Sequence, residues 1–132
     1  MAIVVGLVGE VEIAVQPADT ANALGNTGVH VLATPRLVAL LELAAIRAVE
    51  THLPPGAGTV GTRIDVRHLA ATPVGMRATI RATLREVDGR RLVFDIEGQD
   101  EVERIVEGTH ERFQIDPARF LARIAAKGQT RT

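Results

Sequence analysis

One apolar helix followed by an uninterrupted run of strands is the feature that most narrows the folds open to this chain. Residues 35–51 place Leu37, Leu40, Leu41, Ala44, Ala45 and Ala48 on one broad face, the spacing of an amphipathic helix. Thr34 and Pro35 open it: Thr is a good N-cap, and Pro fits the first helical position, where the missing N–H was unpaired anyway. Half of the stripe is alanine, which suits close packing against a sheet. His52-Leu-Pro-Pro-Gly-Ala-Gly58 ends the helix.

Four strand-like segments follow, at residues 59–69, 76–87, 91–97 and 102–115. In the first, Ile64, Val66 and His68 share a face. In the second, Met76, Ala78, Ile80, Ala82 and Leu84 alternate with Arg77, Thr79, Arg81, Thr83 and Arg85. Leu92, Phe94 and Ile96 point inward in the third. Asp88-Gly89 is a two-residue hairpin turn, and Gly98-Gln99-Asp100 is expected to turn the chain again. A half-buried strand at 10–15, with Val11, Ile13 and Val15 on one side, precedes a long loop at 17–33. Asp116-Pro117 starts a short terminal helix bearing Phe120, Leu121 and Ile124. The long helix can bury its stripe only against the strands. The expected architecture is α+β: a curved antiparallel sheet of about five strands around one central helix, with a short C-terminal helix. At 132 residues the whole chain, 1–132, reads as a single domain.

Missing residue types restrict the chemistry further. The sequence has no Cys, Ser, Tyr or Trp. Disulfides, thiolate nucleophiles, Cys-ligated zinc and Ser-His-Asp hydrolysis are therefore excluded. A covalent nucleophile must be Thr, Asp, Glu, His or Lys127. No two histidines stand at ligand spacing on one helix, so no metal is expected, and no cofactor is implied. The net charge is −1 and the only aromatics are Phe94, Phe113 and Phe120, which argues against nucleic-acid partners. The apolar start, residues 1–9, lacks the features of a signal peptide and is too short to cross a membrane. The expected compartment is the cytoplasm.

Within this frame Thr34, Glu42, His68 and the segment Gly108-Thr-His-Glu-Arg112 carry the candidate chemistry. Glu42 interrupts the apolar helix between Leu41 and Leu43, with Val38, Ala39, Ala45 and Ile46 at helical contact spacing. A carboxylate there has a raised pKa or a specific partner, unless it lies on a solvent-facing strip. His68 ends the first of the four strands, either as a satisfied edge histidine or as an acid–base group. Thr34 serves as N-cap, a role compatible with a site at the helix N-terminus, where free N–H groups can meet an oxyanion. Arg112 alternates with His110 on the last strand and can meet an anionic ligand or a carboxylate. His30 and His52 read as loop residues. Eight helical residues separate Thr34 from Glu42, about 12 Å along the axis and roughly 80° around it. Those two cannot touch directly: an acyl group runs between them or a subunit interface assembles the site.

Taken together, Val31-Leu-Ala-Thr34, Leu41-Glu42, Ala45-Ile-Arg47-Ala-Val-Glu50, His52-Leu53-Pro, Gly58-Thr59-Val-Gly61, Asp65-Val66-Arg-His68, Ala70-Ala-Thr-Pro73 and Gly108-Thr-His-Glu-Arg112 resemble the fluoroacetyl-CoA thioesterases of the hotdog superfamily. The resemblance runs from about residue 8 to residue 127. It implies the hotdog fold, hydrolysis of an acyl-CoA to a carboxylate and CoA, and a Thr/Glu/His site matched here by Thr34, Glu42 and His68. It also implies that the Gly61 backbone lines the acyl pocket with Arg112 nearby, and that a homodimer, or a tetramer built from it, carries sites at the subunit interface. The fluoroacetyl-specific enzyme closes its pocket with Phe residues before the Thr. Here residues 22–31 contain none, and Gly25 and Gly28 fall where those rings would be. That departure implies a more open or more mobile lid and a different acyl group.

On this reading Glu42 attacks the thioester carbonyl or activates water, His68 is the general base or the acid for the leaving thiolate, and Thr34 orients its neighbours. A non-catalytic acyl-CoA or small-ligand binding protein, a hotdog dehydratase, and a dimer in which Glu42 and His68 merely pair are the competing readings. Arg63, Arg67, Arg77 and Arg81 are candidates for CoA phosphates, or equally ordinary strand charges.

Overall fold

The computed structural model describes residues 2–131. Strand β1 (Val8–Ala14) precedes helix α1 (Thr34–Val49). Strands β2 (Gly58–His68), β3 (Arg77–Asp88), β4 (Arg91–Asp100) and β5 (Arg104–Ile115) follow, and helix α2 (Pro117–Gln129) ends the chain. All five strands form one antiparallel sheet in the order β1-β3-β4-β5-β2. The sheet curves around α1, as the sequence pattern requires. No helix among the described residues is long and apolar enough to cross a membrane.

The core is the interface of α1 with the sheet. Leu37, Leu40, Leu41, Ala44, Ala45, Ala48 and Val49 are buried against Ala78, Ile80, Ala82, Leu84, Leu92, Phe94, Ile96, Ile105 and Val106. Burying each of the three leucines contributes about 2 kcal/mol. The alanines have the role expected of them. A Cβ at Gly9 of β1 would run into the backbone of Ala44 and Ala48, so strand and helix meet with only small side chains between them.

Three expectations are corrected. Thr34 is not the N-cap: Ala33 occupies that position, Thr34 is the first helical residue, and no side chain caps the helix. The Thr34 hydroxyl is engaged elsewhere, as described below. Gly98-Gln99-Asp100 does not turn the chain; β4 runs through it, residues 101–103 turn, and β5 begins at Arg104 rather than Val102. Gly98 is there for packing, since a Cβ would meet Val106 Cγ1 at 2.7 Å and Ile80 Cγ1 at 3.2 Å. The turn is made by Asp100, whose Oδ1 accepts from the N–H of Val102 and Glu103. Finally, β1 starts two residues earlier than expected, at Val8.

The long loop between β1 and α1 is ordered by polar contacts. Its two short 3-10 turns, Pro17–Asp19 and Asn22–Leu24, are held by a backbone bridge from Thr20 to Leu32 and by Asn22 Oδ1, which accepts from Gly28 N–H. Arg36 in the first turn of α1 donates to Asp19 at 2.8 Å. Burial alone would raise the Asp19 carboxyl, but the Gln16 N–H and Arg36 hold it below its usual range.

Candidate active site

At the N-terminus of α1, the Thr34 hydroxyl lies 2.7 Å from Nδ1 of His68, the last residue of β2. Nε2 of that imidazole is buried and has no hydrogen-bond partner among the described residues. Burial pushes the His68 pKa down, opposed by the backbone at Ala70, so the ring favours its neutral, proton-accepting form. The helix starts without a side-chain cap, which leaves first-turn N–H groups free beside Thr34. A cavity of about 350 Å³ opens here, walled by Thr34, His68, Val29, Val31, Leu69 and Ala70. The loop before α1 supplies its outer wall. Gly25 and Gly28 in that loop have φ of +106° and +87°, and a Cβ on either would meet nothing within 4 Å. The side of the loop that carries no aromatic ring is thus open.

Two turns further along α1, Glu42 meets a separate network. Arg112 of β5, almost fully buried, donates from Nη1 to Glu42 Oε2 at 3.1 Å. Its Nε donates to Thr59 Oγ1 at 2.8 Å and its Nη2 to the Thr59 carbonyl at 3.0 Å. Burial pushes the Arg112 pKa down, and the Glu42 carboxylate acts against it. The same Nη1 lies 3.1 Å from Nε2 of buried His110, whose Nδ1 lies 2.8 Å from the Arg63 carbonyl. A carbonyl only accepts and a guanidinium only donates. His110 must therefore carry its proton on Nδ1, accept at Nε2 and stay neutral. Burial pushes its pKa down; the Arg63 carbonyl opposes this and the Arg112 charge reinforces it. Its ring stacks on Phe94 with centroids 6.3 Å apart. Gly61 lies over this network: a Cβ there would collide with Glu42 Oε2 and approach Arg112 Nη1 at 3.2 Å.

Glu42 thus has a specific partner, the second of the outcomes its sequence context allowed, and that partner comes from the sheet. The chain brings Thr34 to His68 and brings Glu42 to Arg112 and Gly61. Glu42 pairs with neither Thr34 nor His68. Sequence reasoning included His110 only as part of the segment Gly108–Arg112, with no role of its own, and did not assign Thr59 to the site. Strict alternation from Arg112 along β5 pointed to the first, and no local signal marked the second. It also hid one geometric point. Counting by twos along β2 puts Gly61 on the opposite face from His68. A bulge between Gly61 and Arg63 shifts the register, so Gly61 pairs with Arg112 and Ile64 with His110. Thr59, Gly61, Ile64, Val66 and His68 therefore all face the helix side.

The cavity beside the helix N-terminus can hold an acyl group against Val29, Val31, Leu69 and Ala70, with free N–H donors and a neutral imidazole at hand. The oriented carboxylate of Glu42 stands in its separate network. The model of the fluoroacetyl-CoA-specific thioesterase family matches residues 15–118. A fluoroacetyl-CoA thioesterase from Streptantibioticus cattleyicolor is 45% identical over 98 residues, 74% of this chain and 70% of that protein. The solved structure of a threonine-to-serine variant of such an enzyme in complex with acetyl-CoA is 37% identical. It superposes with a TM-score of 0.89 over 95% of this chain and 98% of that chain. A hot-dog-like protein from Thermanaerovibrio acidaminovorans, 23% identical, shares the fold with a TM-score of 0.86 over 93% of this chain and 91% of its own. The chain is a hotdog protein and belongs to the fluoroacetyl-CoA-specific thioesterase family.

Proposed function

We propose that this chain is a cytoplasmic acyl-CoA thioesterase that hydrolyses a small or medium acyl-CoA to a carboxylate and free CoA, acting as a homodimer. The observation that carries this reading is the Thr34–His68 pair at an uncapped helix N-terminus, opening on a cavity with mixed polar and apolar walls. The first-turn N–H groups of α1 receive the developing oxyanion. His68 moves the proton, towards the leaving thiolate or from water, and its depressed pKa keeps it neutral and ready to accept at pH 7. Thr34 holds the imidazole in position.

Glu42 takes the acyl group itself or directs the water that attacks. Arg112 fixes one of its oxygens and leaves the other for the reaction. Within one chain, Glu42 and the Thr34–His68 pair are too far apart to act on one carbonyl. Strand β2 is one of the two outer strands of the sheet, and two copies joined antiparallel along it resolve this. With the twofold axis at Asp65 and the bulge between Gly61 and Arg63 counted in each copy, the partner subunit's His68 lies opposite Gly61, next to Glu42. Each dimer then has two sites, each drawing Glu42, Gly61 and Arg112 from one subunit and Thr34 and His68 from the other. The glycines in the loop before Thr34 leave space where an aromatic gate would stand, which favours acyl groups larger than fluoroacetyl.

The direct test is free-thiol release from a panel of acyl-CoA esters running from acetyl through medium-chain to phenylacetyl. Turnover that peaks beyond acetyl supports the reading. A flat panel from protein that still binds CoA esters replaces it with a binding role.

A further inference from the structure

We propose that Arg90, Arg119 and Arg123 form the subsite that holds the phosphates of the coenzyme A half of the substrate. This rests on the acyl-CoA reading above and adds where the nucleotide goes.

Of the four strand arginines that the sequence offered for this task, Arg63 and Arg81 have carboxylate partners, and Arg67 and Arg77, which make no ion pair with a described residue, lie outside the concavity described below. Arg81 is tied to Glu10, and its neighbours on the sheet surface turned away from α1 have partners too: Arg85 has Asp95 at 2.9 Å and Arg104 has Glu97 at 3.6 Å. Arg63 has Asp65 at 3.5 Å. Arg90, Arg119 and Arg123 also make no ion pair with any described residue, and they differ from Arg67 and Arg77 in standing together. All three line one concavity of about 260 Å³, together with Ile115, Asp116 and Phe120. Asp116 is its only acid, and that carboxylate already accepts the Ala118 N–H at 3.0 Å as the cap of α2. The concavity therefore has a clear positive excess. Planar guanidinium groups match phosphate oxygens in pairs, and the half-buried Phe120 offers an aromatic face to a purine.

The position relative to the reacting groups fits as well. The concavity shares Arg90, Ile115 and Asp116 with a larger groove of about 590 Å³ that is lined by Pro54, Pro55, Ala57 and Pro117. Those apolar walls suit the pantetheine arm. The groove lies where β2 begins: Gly58 pairs with Ile115, Thr59 with Gln114, and Gly61 with Arg112. Four extended residues, about 13 Å, separate the groove wall at Ala57 from Gly61 above Glu42. An extended pantetheine arm spans that distance, with the thioester at Glu42 and the phosphates among the arginines.

The experiment compares wild type with the R90A/R119A/R123A variant on an acyl-CoA and on the same acyl group carried by pantetheine, and measures CoA binding by calorimetry. The arginines are exposed, and Arg85→Ala, on the other face of the sheet, serves as the charge-loss control. The expected result is a rise of roughly tenfold or more in KM for acyl-CoA, with CoA affinity weakened in proportion. The preference of the wild type for acyl-CoA over acyl-pantetheine then collapses in the triple variant and persists in Arg85→Ala. The wild-type KM for acyl-CoA should also rise with ionic strength, a dependence the triple variant loses. An unchanged KM ratio overturns the subsite, as does a wild type that does not bind CoA. Arginine-dependent CoA binding by a protein that hydrolyses no ester keeps the subsite and overturns the hydrolytic reading instead.

Discussion

The Thr34 hydroxyl and His68 Nδ1 lie 2.7 Å apart across 34 residues of sequence, and this contact, not helix capping, is what the hydroxyl does. Thr34→Val should therefore change folding stability by less than about 0.5 kcal/mol while lowering turnover by roughly a hundredfold. Thr34→Ser should retain both. Thermal melts beside steady-state kinetics read this out. A loss of several degrees with turnover intact would return Thr34 to a capping role.

Glu42 is held by a single guanidinium, so its removal separates chemistry from folding. Glu42→Ala should lower turnover by roughly a thousandfold or more and stability by about 1–2 kcal/mol, because Arg112 then lacks its carboxylate. Wild-type turnover in Glu42→Ala would remove Glu42 from the site. In ¹⁸O water, a single turnover labels the carboxylate product if water attacks the thioester. If Glu42 attacks and water opens the resulting anhydride at the Glu42 carbonyl, the product stays unlabelled and Glu42 carries the label. Opening at the acyl carbonyl labels the product, and trapping the Glu42 anhydride then separates the two routes.

A neutral His110 joins the Arg63 carbonyl to Arg112. His110→Phe preserves the stack on Phe94 but strands both polar partners, and should cost about 2–3 kcal/mol in urea unfolding. His110→Asn, which keeps one donor and one acceptor, should recover part of it. Equal stability of the Phe and Asn variants would show that the ring matters only as bulk.

Both His68 and His110 are held below the ordinary histidine value of 6.5, mainly by burial. Below that pH the unfolded chain binds more protons than the native one. The stability these groups contribute is thus fully present above about pH 6.5 and is lost as pH falls through their native values. Asp19, Asp100 and Glu111 are also lowered, but they titrate below this window. The urea midpoint should fall between pH 7.5 and pH 5.5, and should fall less in His110→Asn. The acid limb of kcat/KM should lie below 6.5 for the same reason, at His68. A midpoint flat over that range would mean that neither imidazole is depressed.

Gly61 leaves room for the Glu42 carboxylate, since a Cβ would collide with Oε2. Its φ is not in the left-handed region, so alanine there strains no backbone. Gly61→Ala should cost about 1–2 kcal/mol, as Glu42→Ala does, and lower turnover at least tenfold, both by pushing Glu42 off Arg112. Unimpaired turnover would show that the carboxylate has slack.

Much of the fold was legible because it follows from local patterns. The stripe from Leu37 to Ala48 could only be helical and could only face a sheet, and the alternation from Ala78 to Leu84 could only be a strand with one buried face. Gly98 misled because a glycine needed for close packing looks the same in sequence as one needed for a turn. Thr34 misled for a related reason: Thr before Pro satisfies the pattern of a cap, and only a histidine arriving from β2 shows where its hydroxyl goes.

The sequence by itself therefore determined the elements, their order, the core and Glu42 as a residue out of keeping with its surroundings, while Thr34 and His68 were marked by the resemblance to the family. Periodicity and burial are properties of neighbours along a chain, and they can be read there. Which polar groups meet was decided by the tertiary structure alone. The pairing of β2 with β5, with its bulge at Gly61/Arg63, puts Gly61 and Arg112 over Glu42 and keeps His68 on the same side. A shift of one residue in that register would turn those side chains to the other face, and no local pattern fixes where a strand takes up its extra residue.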